Sequence, residues 1–166
     1  MRMAATRLIT MHQNKGKSVT KSLSERTDYA KNGEKTENGQ FICSYACKAE
    51  SIDEEFMLSK QEYERLTGRH PKGTITAYQI MQSFKPGEIT PKEANQVYYE
   101  TSMRFTKGNH AFIVAIHTDK AHIHNNIIFN STSLDCTRKF RDFFFVGVST
   151  AEIIGYHLPG TWLICH

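Results

Sequence analysis

The sequence predicts an α+β domain in which a central, largely antiparallel sheet carries helices packed on one face. Three observations support this class. Helical and extended segments alternate along the chain, the helical segments begin at clear caps, and two short apolar segments are joined by a tight turn. A chain of 166 residues is long enough to bury a core of its own, so we expect one principal domain.

The first two elements are a strand and a helix. Residues 7–11 (RLITM) form a short apolar segment that is typical of a strand, and a polar loop follows it. Ser18 is a predicted helix N-cap, because its hydroxyl can accept a hydrogen bond from a backbone N–H of the first turn. The predicted helix has Tyr29 in its last turn and ends near Gly33.

The next three elements are a short strand, a helix and a longer strand. A Gly- and Asn-rich loop over 31–40 leads to a predicted strand over 41–47. Residues 53–67 carry apolar and aromatic side chains at helical spacing among charges, and Gly68 can end that helix in the left-handed conformation. Residues 74–84 (TITAYQIMQSF) alternate well enough to predict a strand.

A capping box predicts the start of a third helix. Thr90 is the N-cap, Pro91 occupies the first helical position, and Glu93 stands three residues after the cap. The glutamate can then bond back to the backbone N–H of the cap while the threonine bonds forward. We expect this helix to reach about Phe105 and to stop at 107–108, which are Lys and Gly.

A β-hairpin that carries three histidines follows. The apolar segment 111–116 and a second one that begins at His122 are separated by only a few residues, so the two strands pair antiparallel. This pairing brings His117, at the end of one strand, close to the start of the other. His122 and His124 are two residues apart and therefore point to the same face of a strand. The three imidazoles are expected to converge on one point.

Three converging imidazoles predict a metal site. Imidazole suits several divalent ions, and three of them leave coordination positions open for water or substrate, which is typical of catalysis. A His-x-His pair on a strand can also simply face solvent. His117 and Asp119 at the facing strand end favour the metal site, and Asp119 could accept a hydrogen bond that orients a ligand imidazole.

The overall charge indicates only a mild preference for polyanions. There are 21 Lys and Arg against 17 Asp and Glu, a formal net charge of +4. No stretch approaches the roughly 20 apolar residues that a membrane span requires. The four cysteines show neither C-x-x-C spacing nor a secretory signal ahead of them, so a zinc ribbon or a disulfide framework is not expected. We therefore expect a cytoplasmic protein.

The nucleophile of such a site can be water or a side chain. A divalent ion can polarise a phosphoryl oxygen or lower the pKa of a bound water. For a phosphodiester substrate a tyrosine is a suitable nucleophile, because a phosphotyrosine link preserves the bond energy for rejoining. Among seven tyrosines, Tyr29 is distinguished by its polar context and by the nearby Lys31 and Lys35. Composition alone leaves this choice open.

Five segments of the chain together carry a resemblance to a known family. They are TRLITMHQNKGKS, RTDYAKNGEKT, AYQIMQSFKPGEITPKEAN, RFTKGNHAFIVAIHTDKAHIHNNIIFNSTS and LDCTRKFRDF, and they cover Thr6 to about Phe144. In this order they resemble the N-terminal relaxase domain of mobilization proteins, in the branch with the motif H-x-D-x-x-H-x-H-N. These proteins are the nicking enzymes of conjugative plasmids and integrative elements.

The resemblance implies a relaxase-like palm of the HUH-type nuclease class, which cuts one strand of an origin of transfer and stays attached to the 5′ end. Tyr29 then takes the place of the nucleophile, and Asp119 the place of a residue that orients a ligand or handles a proton. The implied metal ligands, for Mg²⁺ or Mn²⁺, are His117, His122 and His124. Asn126 stands where many relatives place a further histidine.

The resemblance also implies the partners. Single-stranded DNA at the origin of transfer is the expected substrate, an accessory mobilization protein is an expected partner, and the domain is expected to act as a monomer. Ser83 falls in a segment that is similar to a DNA-contacting motif, and we expect Lys31, Lys35 and His110 to contact DNA as well. A β-bulge before His117 would instead turn His110 toward the metal.

The character of the sequence changes after residue 142. Residues 143–166 contain no Lys or Arg and one acid, Glu152. We therefore divide the chain into a relaxase-like nuclease domain over 1–142 and a divergent tail over 143–166. The tail is either a buried strand and turn or, as we favour, a segment from an interrupted or out-of-frame gene.

Three functions remain open at this point. The first is metal-dependent, tyrosine-linked DNA nicking. The second is a truncated fragment with little or no activity that binds single-stranded DNA or a partner protein. The third is a metallohydrolase that uses water. Loss of cleavage and of a covalent adduct in Tyr29→Phe would distinguish the first from the other two.

Overall fold

The computed structural model describes residues 5–70 and 75–141, and its elements confirm the predicted ones to within three residues at each boundary. The predicted tail over 143–166 lies outside the described residues. A short 3₁₀ turn precedes the second helix. The elements are β1 (Ala5–His12), α1 (Val19–Ala30), β2 (Ile42–Tyr45), α2 (Ile52–Thr67), β3 (Ile75–Phe84), α3 (Pro91–Thr106), β4 (Phe112–His117) and β5 (Ile123–Asn130).

The five strands form one sheet in the order β1-β3-β5-β4-β2. Every pair of neighbours in it is antiparallel, which confirms the predicted α+β class and the predicted hairpin of β4 and β5. The hairpin lies inside the sheet, and β3 and β2 flank it. Because neighbours cover both of its edges, the register of the histidine strands is fixed by hydrogen bonds on each side.

Helices pack on both faces of this sheet. Alternate residues of β5 enter two different cores: Ile127 and Phe129 pack with Tyr98 of α3, whereas Ile128 packs with Leu23 of α1 and with α2. Side chains that alternate along a strand point to opposite faces. The expected packing of helices on one face therefore describes α3, and α1 and α2 form a second layer that the sequence patterns did not indicate.

The predicted caps set where the helices begin and end. Ser18 accepts a hydrogen bond from the backbone N–H of Lys21, and Thr90 forms the full capping box with Glu93. Gly68 ends α2 in the left-handed conformation, with φ of 67°. Within the described part of the chain, no helix combines the length and the apolar character that crossing a membrane would take.

Candidate active site

A row of polar side chains crosses three neighbouring strands at one end of the sheet. His117 of β4 lies opposite His124 of β5, and His124 lies opposite Ser83 of β3. Cross-strand partners share a face, so the three side chains point the same way. Ala115, two residues before His117, belongs to the core under α1 and α2, which shows that the row lies on the face those helices cover.

The end of α1 lies directly against this row. His117 Nε2 donates a hydrogen bond of 2.8 Å to the carbonyl oxygen of Ala30, the last residue of α1. The ring of Tyr29 meets the His117 imidazole edge-on, with ring centroids 5.8 Å apart. Tyr29 is 54% exposed, so a large substrate can reach its hydroxyl. The predicted nucleophile and a predicted metal ligand are therefore in contact.

Lys35 and Asp119 complete the surroundings of Tyr29. Lys35 Nζ donates to the hydroxyl oxygen of Tyr29 over 3.2 Å and lies 3.5 Å from Asp119 Oδ2. The Tyr29 hydroxyl is the largest cause of a raised pKa at Lys35, and Asp119 adds to it. The Asp119 carboxylate faces the Lys35 ammonium, and its expected role in orienting a ligand or handling a proton stays a prediction.

Two amide side chains, those of Gln79 and Asn126, form a hydrogen-bonded chain that ends at the His117 ring. Gln79 Nε2 donates to Asn126 Oδ1 over 2.8 Å, and Asn126 Nδ2 lies 3.2 Å from His117 Nδ1. These contacts, with the Ala30 carbonyl on Nε2, fix the orientation of the ring and favour the tautomer that carries its proton on Nε2. Burial lowers the pKa of His117 more than the Ala30 contact raises it, so the imidazole is held neutral, as a metal ligand must be.

The other two histidines lie at the start of β5. His122 is exposed, and its Nδ1 donates to the carbonyl oxygen of Phe84 over 3.1 Å. The ring centroids of His122 and His124 are 6.4 Å apart. Across 5–70 and 75–141, no three His, Cys, Asp or Glu side chains are gathered closely enough to hold a metal ion. The expected convergence of three imidazoles is therefore absent from this arrangement, because His122 precedes the strand and its ring is tied to the Phe84 carbonyl.

The donor set nevertheless fits a divalent ion. His117 and His122 each donate one ring N–H to a backbone carbonyl, which is the outer contact that ligand histidines usually make. In each ring this leaves the other nitrogen as the possible ligand atom. His124 lies opposite His117 in the row, half-buried, on the same face. Asn126 Nδ2 lies 3.2 Å from His117 Nδ1, so an ion bound at that nitrogen would replace this contact.

The residues expected to contact DNA have different surroundings. Ser83 is half-buried in the polar row beside His124 and remains a candidate. Lys31 instead donates to the carbonyl oxygen of Ala49 over 2.7 Å and lies 3.7 Å from Asp28 Oδ1, so its ammonium joins α1 to the start of α2. We therefore leave Lys31 out of the proposed DNA contacts.

His110 is buried, which corrects the expectation that it faces DNA or the metal. It is 7% exposed, and its Nδ1 donates to the carbonyl oxygens of Asn130 and Thr132 at 2.8 and 3.1 Å. Its ring also meets Phe129 and Phe140 edge-on. Because its partners are the last residue of β5 and the chain that follows, His110 joins the start of β4 to this part of the fold.

Burial lowers the pKa of His110 below its ordinary value of 6.5. The unfolded chain then takes up a proton at a higher pH than the folded one, so stability falls as pH drops from about 6.5 through the lower folded value. We expect His110→Asn, which can keep an N–H donor near the Nδ1 position, to reduce the difference in unfolding free energy between pH 7.5 and pH 5. Urea unfolding at both values checks this, and an unchanged difference would contradict it.

Gln79 and the Ala30 carbonyl are the site groups that the sequence did not reveal. Gln79 points to the same face of β3 as Ala77 and Ser83. A polar side chain at a strand position that is expected to be buried was the sequence signal that could have identified it. No sequence signal exists for the Ala30 carbonyl, because every residue carries one.

Known proteins resemble the chain over most of its length. Residues 29–153 match the family described as relaxase, MobA/VirD2-like, nuclease domain, a range that includes Tyr29 and all three histidines and passes the boundary expected at 142. The chain is 33% identical to the protein rlx of Staphylococcus aureus over 122 residues, which cover 74% of this chain and 35% of that protein. It is 31% identical to the group II intron-interrupted relaxase LtrB of Lactococcus lactis subsp. cremoris over 105 residues, which cover 61% and 19%.

The chain spans about a third or less of the length of these two relatives. The matched family range covers more than half of the chain. The strands β2 to β5, which include the histidine hairpin, and Tyr29 at the end of α1 lie in that range. The chain belongs to the MobA/VirD2-like relaxase family and carries sequence of its nuclease domain.

Proposed function

We propose that this chain nicks one strand of DNA at an origin of transfer, with Tyr29 as the nucleophile and a divalent ion held by His117, His122 and His124. The observation that supports this most directly is the contact between the Tyr29 ring and the His117 imidazole. The proposed nucleophile, on an exposed tyrosine, and the proposed ligand, on a buried histidine, come from distant parts of the sequence and meet on one face of the sheet. This is the arrangement that metal-assisted attack on a phosphodiester requires.

The reaction is a transesterification. The Tyr29 hydroxyl oxygen forms a bond to phosphorus while the bond from phosphorus to the 3′ oxygen breaks. The phenol proton passes to water, and the leaving 3′ oxygen takes a proton from water. The 5′ phosphate stays on the tyrosine, so the energy of the phosphodiester is kept for rejoining. When bound, Mg²⁺ or Mn²⁺ would polarise the scissile phosphate and offset the charge that builds on its oxygens.

The chain's own groups orient this chemistry. The Ala30 carbonyl and the Asn126 amide hold the His117 ring, and the Phe84 carbonyl holds His122. Ser83 lies next to His124 in the row, where its hydroxyl can bind a phosphate oxygen. We propose that single-stranded DNA runs along this end of the sheet, and that the net charge of +4 makes binding dependent on salt.

The setting is part of the same proposal. The chain would act in the mobilization of a plasmid or an integrative element, in the cytoplasm, as a monomer with an accessory mobilization protein. We propose such a partner because phosphate contacts position a protein on DNA without reading its sequence, and a second protein could add contacts to the bases.

The deciding experiment uses a labelled single-stranded oligonucleotide that carries the transfer origin of the chain's own element. The purified chain is incubated with it in Mn²⁺ or in EDTA and run on a denaturing gel. We expect a shifted band in Mn²⁺ that resists denaturation. Cleavage without a covalent band would indicate a water-using hydrolase. DNA binding without cleavage at any metal concentration would indicate the DNA-binding fragment with little or no activity.

A further inference from the structure

We propose that Lys35 is a positioning residue that holds the attacking hydroxyl of Tyr29, and that Asp119 in turn holds Lys35. The sequence had suggested DNA contact for Lys35, and this assignment replaces that role. It rests on the proposed function, because it names what fixes the nucleophile of the same reaction. Neither residue is placed among the groups that touch the scissile phosphate.

The contacts of the Lys35 ammonium carry the inference. Its Nζ lies 3.2 Å from the hydroxyl oxygen of Tyr29 and 4.5 Å above the centre of the same ring. Asp119 Oδ2 lies 3.5 Å away on the other side. The Lys35 side chain is only 22% exposed, so most of it is enclosed by the protein. A lysine that serves only as a phosphate contact needs its ammonium free, and this ammonium is engaged within the chain.

The backbone fixes the loop that carries Lys35. The carbonyl oxygen of Lys35 accepts a hydrogen bond of 2.8 Å from the N–H of Thr118, the residue that follows β4 and precedes Asp119. The N–H of Lys35 donates to the carbonyl oxygen of Asn32 at 3.0 Å. Both backbone groups of Lys35 are therefore bonded. Together with the bond from His117 to Ala30, they bring Lys35, Asp119 and Tyr29 to one place.

This geometry gives Lys35 a defined task. Its ammonium donates into a lone pair of the Tyr29 oxygen, which leaves the phenol hydrogen to point elsewhere and a second lone pair to face phosphorus. Lys35 keeps its own proton throughout, and the phenol proton passes to water when the bond to phosphorus forms. A hydroxyl on a half-exposed ring otherwise samples several positions, and errors of about 1 Å cost about 100-fold in rate.

Lys35→Met and Lys120→Met test the assignment as a matched pair. Both remove one positive charge beside Asp119, but the Lys120 side chain is exposed on the turn. We expect Lys35→Met to lower the single-turnover nicking rate at saturating DNA by about 10- to 100-fold, with DNA affinity changed less than about threefold. Lys120→Met should keep the rate, and Lys35→Arg should recover part of it. Equal rates in the two methionine variants would overturn the proposal.

If the wild-type chain does not nick DNA, a second measurement still tests the positioning role of Lys35. The ammonium group of Lys35 is then observed by ¹⁵N nuclear magnetic resonance in the wild type, in Tyr29→Phe and in Asp119→Asn. A Lys35 signal that shifts in both variants supports the positioning role, although the proposed function has failed. A Lys35 signal that is unaffected by either variant overturns the inference on its own.

Discussion

Replacing Tyr29 with phenylalanine is expected to abolish the covalent protein–DNA adduct and to leave affinity for single-stranded DNA within about twofold. The substitution removes the hydroxyl oxygen and nothing else, so the edge-on contact with His117 and the fit of the ring remain. The hydroxyl lies on a ring that is 54% exposed, so its loss creates no buried cavity. The measurement is the denaturing gel described above, with affinity from fluorescence anisotropy.

Tyr45→Phe is the matched control for that variant. The Tyr45 hydroxyl donates to the carbonyl oxygen of Gly108 over 3.0 Å, and Tyr45 pairs with Phe112 at the end of β4 opposite to His117. Its loss costs about 1 kcal/mol of stability and should leave the adduct intact. An adduct that persists in Tyr29→Phe would place the nucleophile elsewhere. Cleavage that persists without an adduct would assign the attack to water.

The parts of the fold that follow from local spacing were predictable. Thr90, Pro91 and Glu93 mark the start of α3 because a capping box is formed by residues within one turn. The pairing of His117 with His124 follows from the short turn between two strands. In both cases the interacting groups are close in sequence, so their spacing alone fixes the geometry.

The groups that come together from distant parts of the chain were not predictable in the same way. Tyr29 could be singled out from its polar context, but its contact with His117 depends on a bond from that histidine to the Ala30 carbonyl. Lys35 was expected to face DNA because it is basic and lies in a polar loop. The bond from Thr118 to its carbonyl turns that loop toward Asp119 instead.

The burial of His110 and the packing of α1 and α2 on the second face of the sheet were also not predictable from the local sequence. A histidine before a strand carries no sign of burial, and the aromatic ring of Phe140 that encloses it comes from 30 residues further along. The sparse apolar stripe of α1 marks a helix without saying which face of the sheet it covers. The covered face follows from the alternating side chains of β5: Ile127 packs in the core with α3, and Ile128 packs in the core with α1 and α2.

Replacing His124 with alanine is expected to lower metal-dependent nicking by at least about 100-fold, since changes to groups that only orient a ligand already cost about 10- to 100-fold. His124 stands at the centre of the polar row, between His117 and Ser83, so no other imidazole can take its position without a change of register. Its side chain is half-buried, and β5 pairs with β3 on one side and with β4 on the other. We therefore expect the loss of nicking to reflect weaker binding of the ion, with the fold unchanged.

The measurement is nicking across a Mn²⁺ titration, together with Mn²⁺ binding by isothermal calorimetry. His70→Ala is the control, because His70 follows the end of α2, where its Nδ1 lies 3.6 Å from Glu64. We expect His124→Ala to need far more Mn²⁺ for any cleavage and His70→Ala to behave as the wild type. If His124→Ala binds Mn²⁺ and nicks as the wild type does, the ion is held by a different set of groups, and the contact between Tyr29 and His117 needs another explanation.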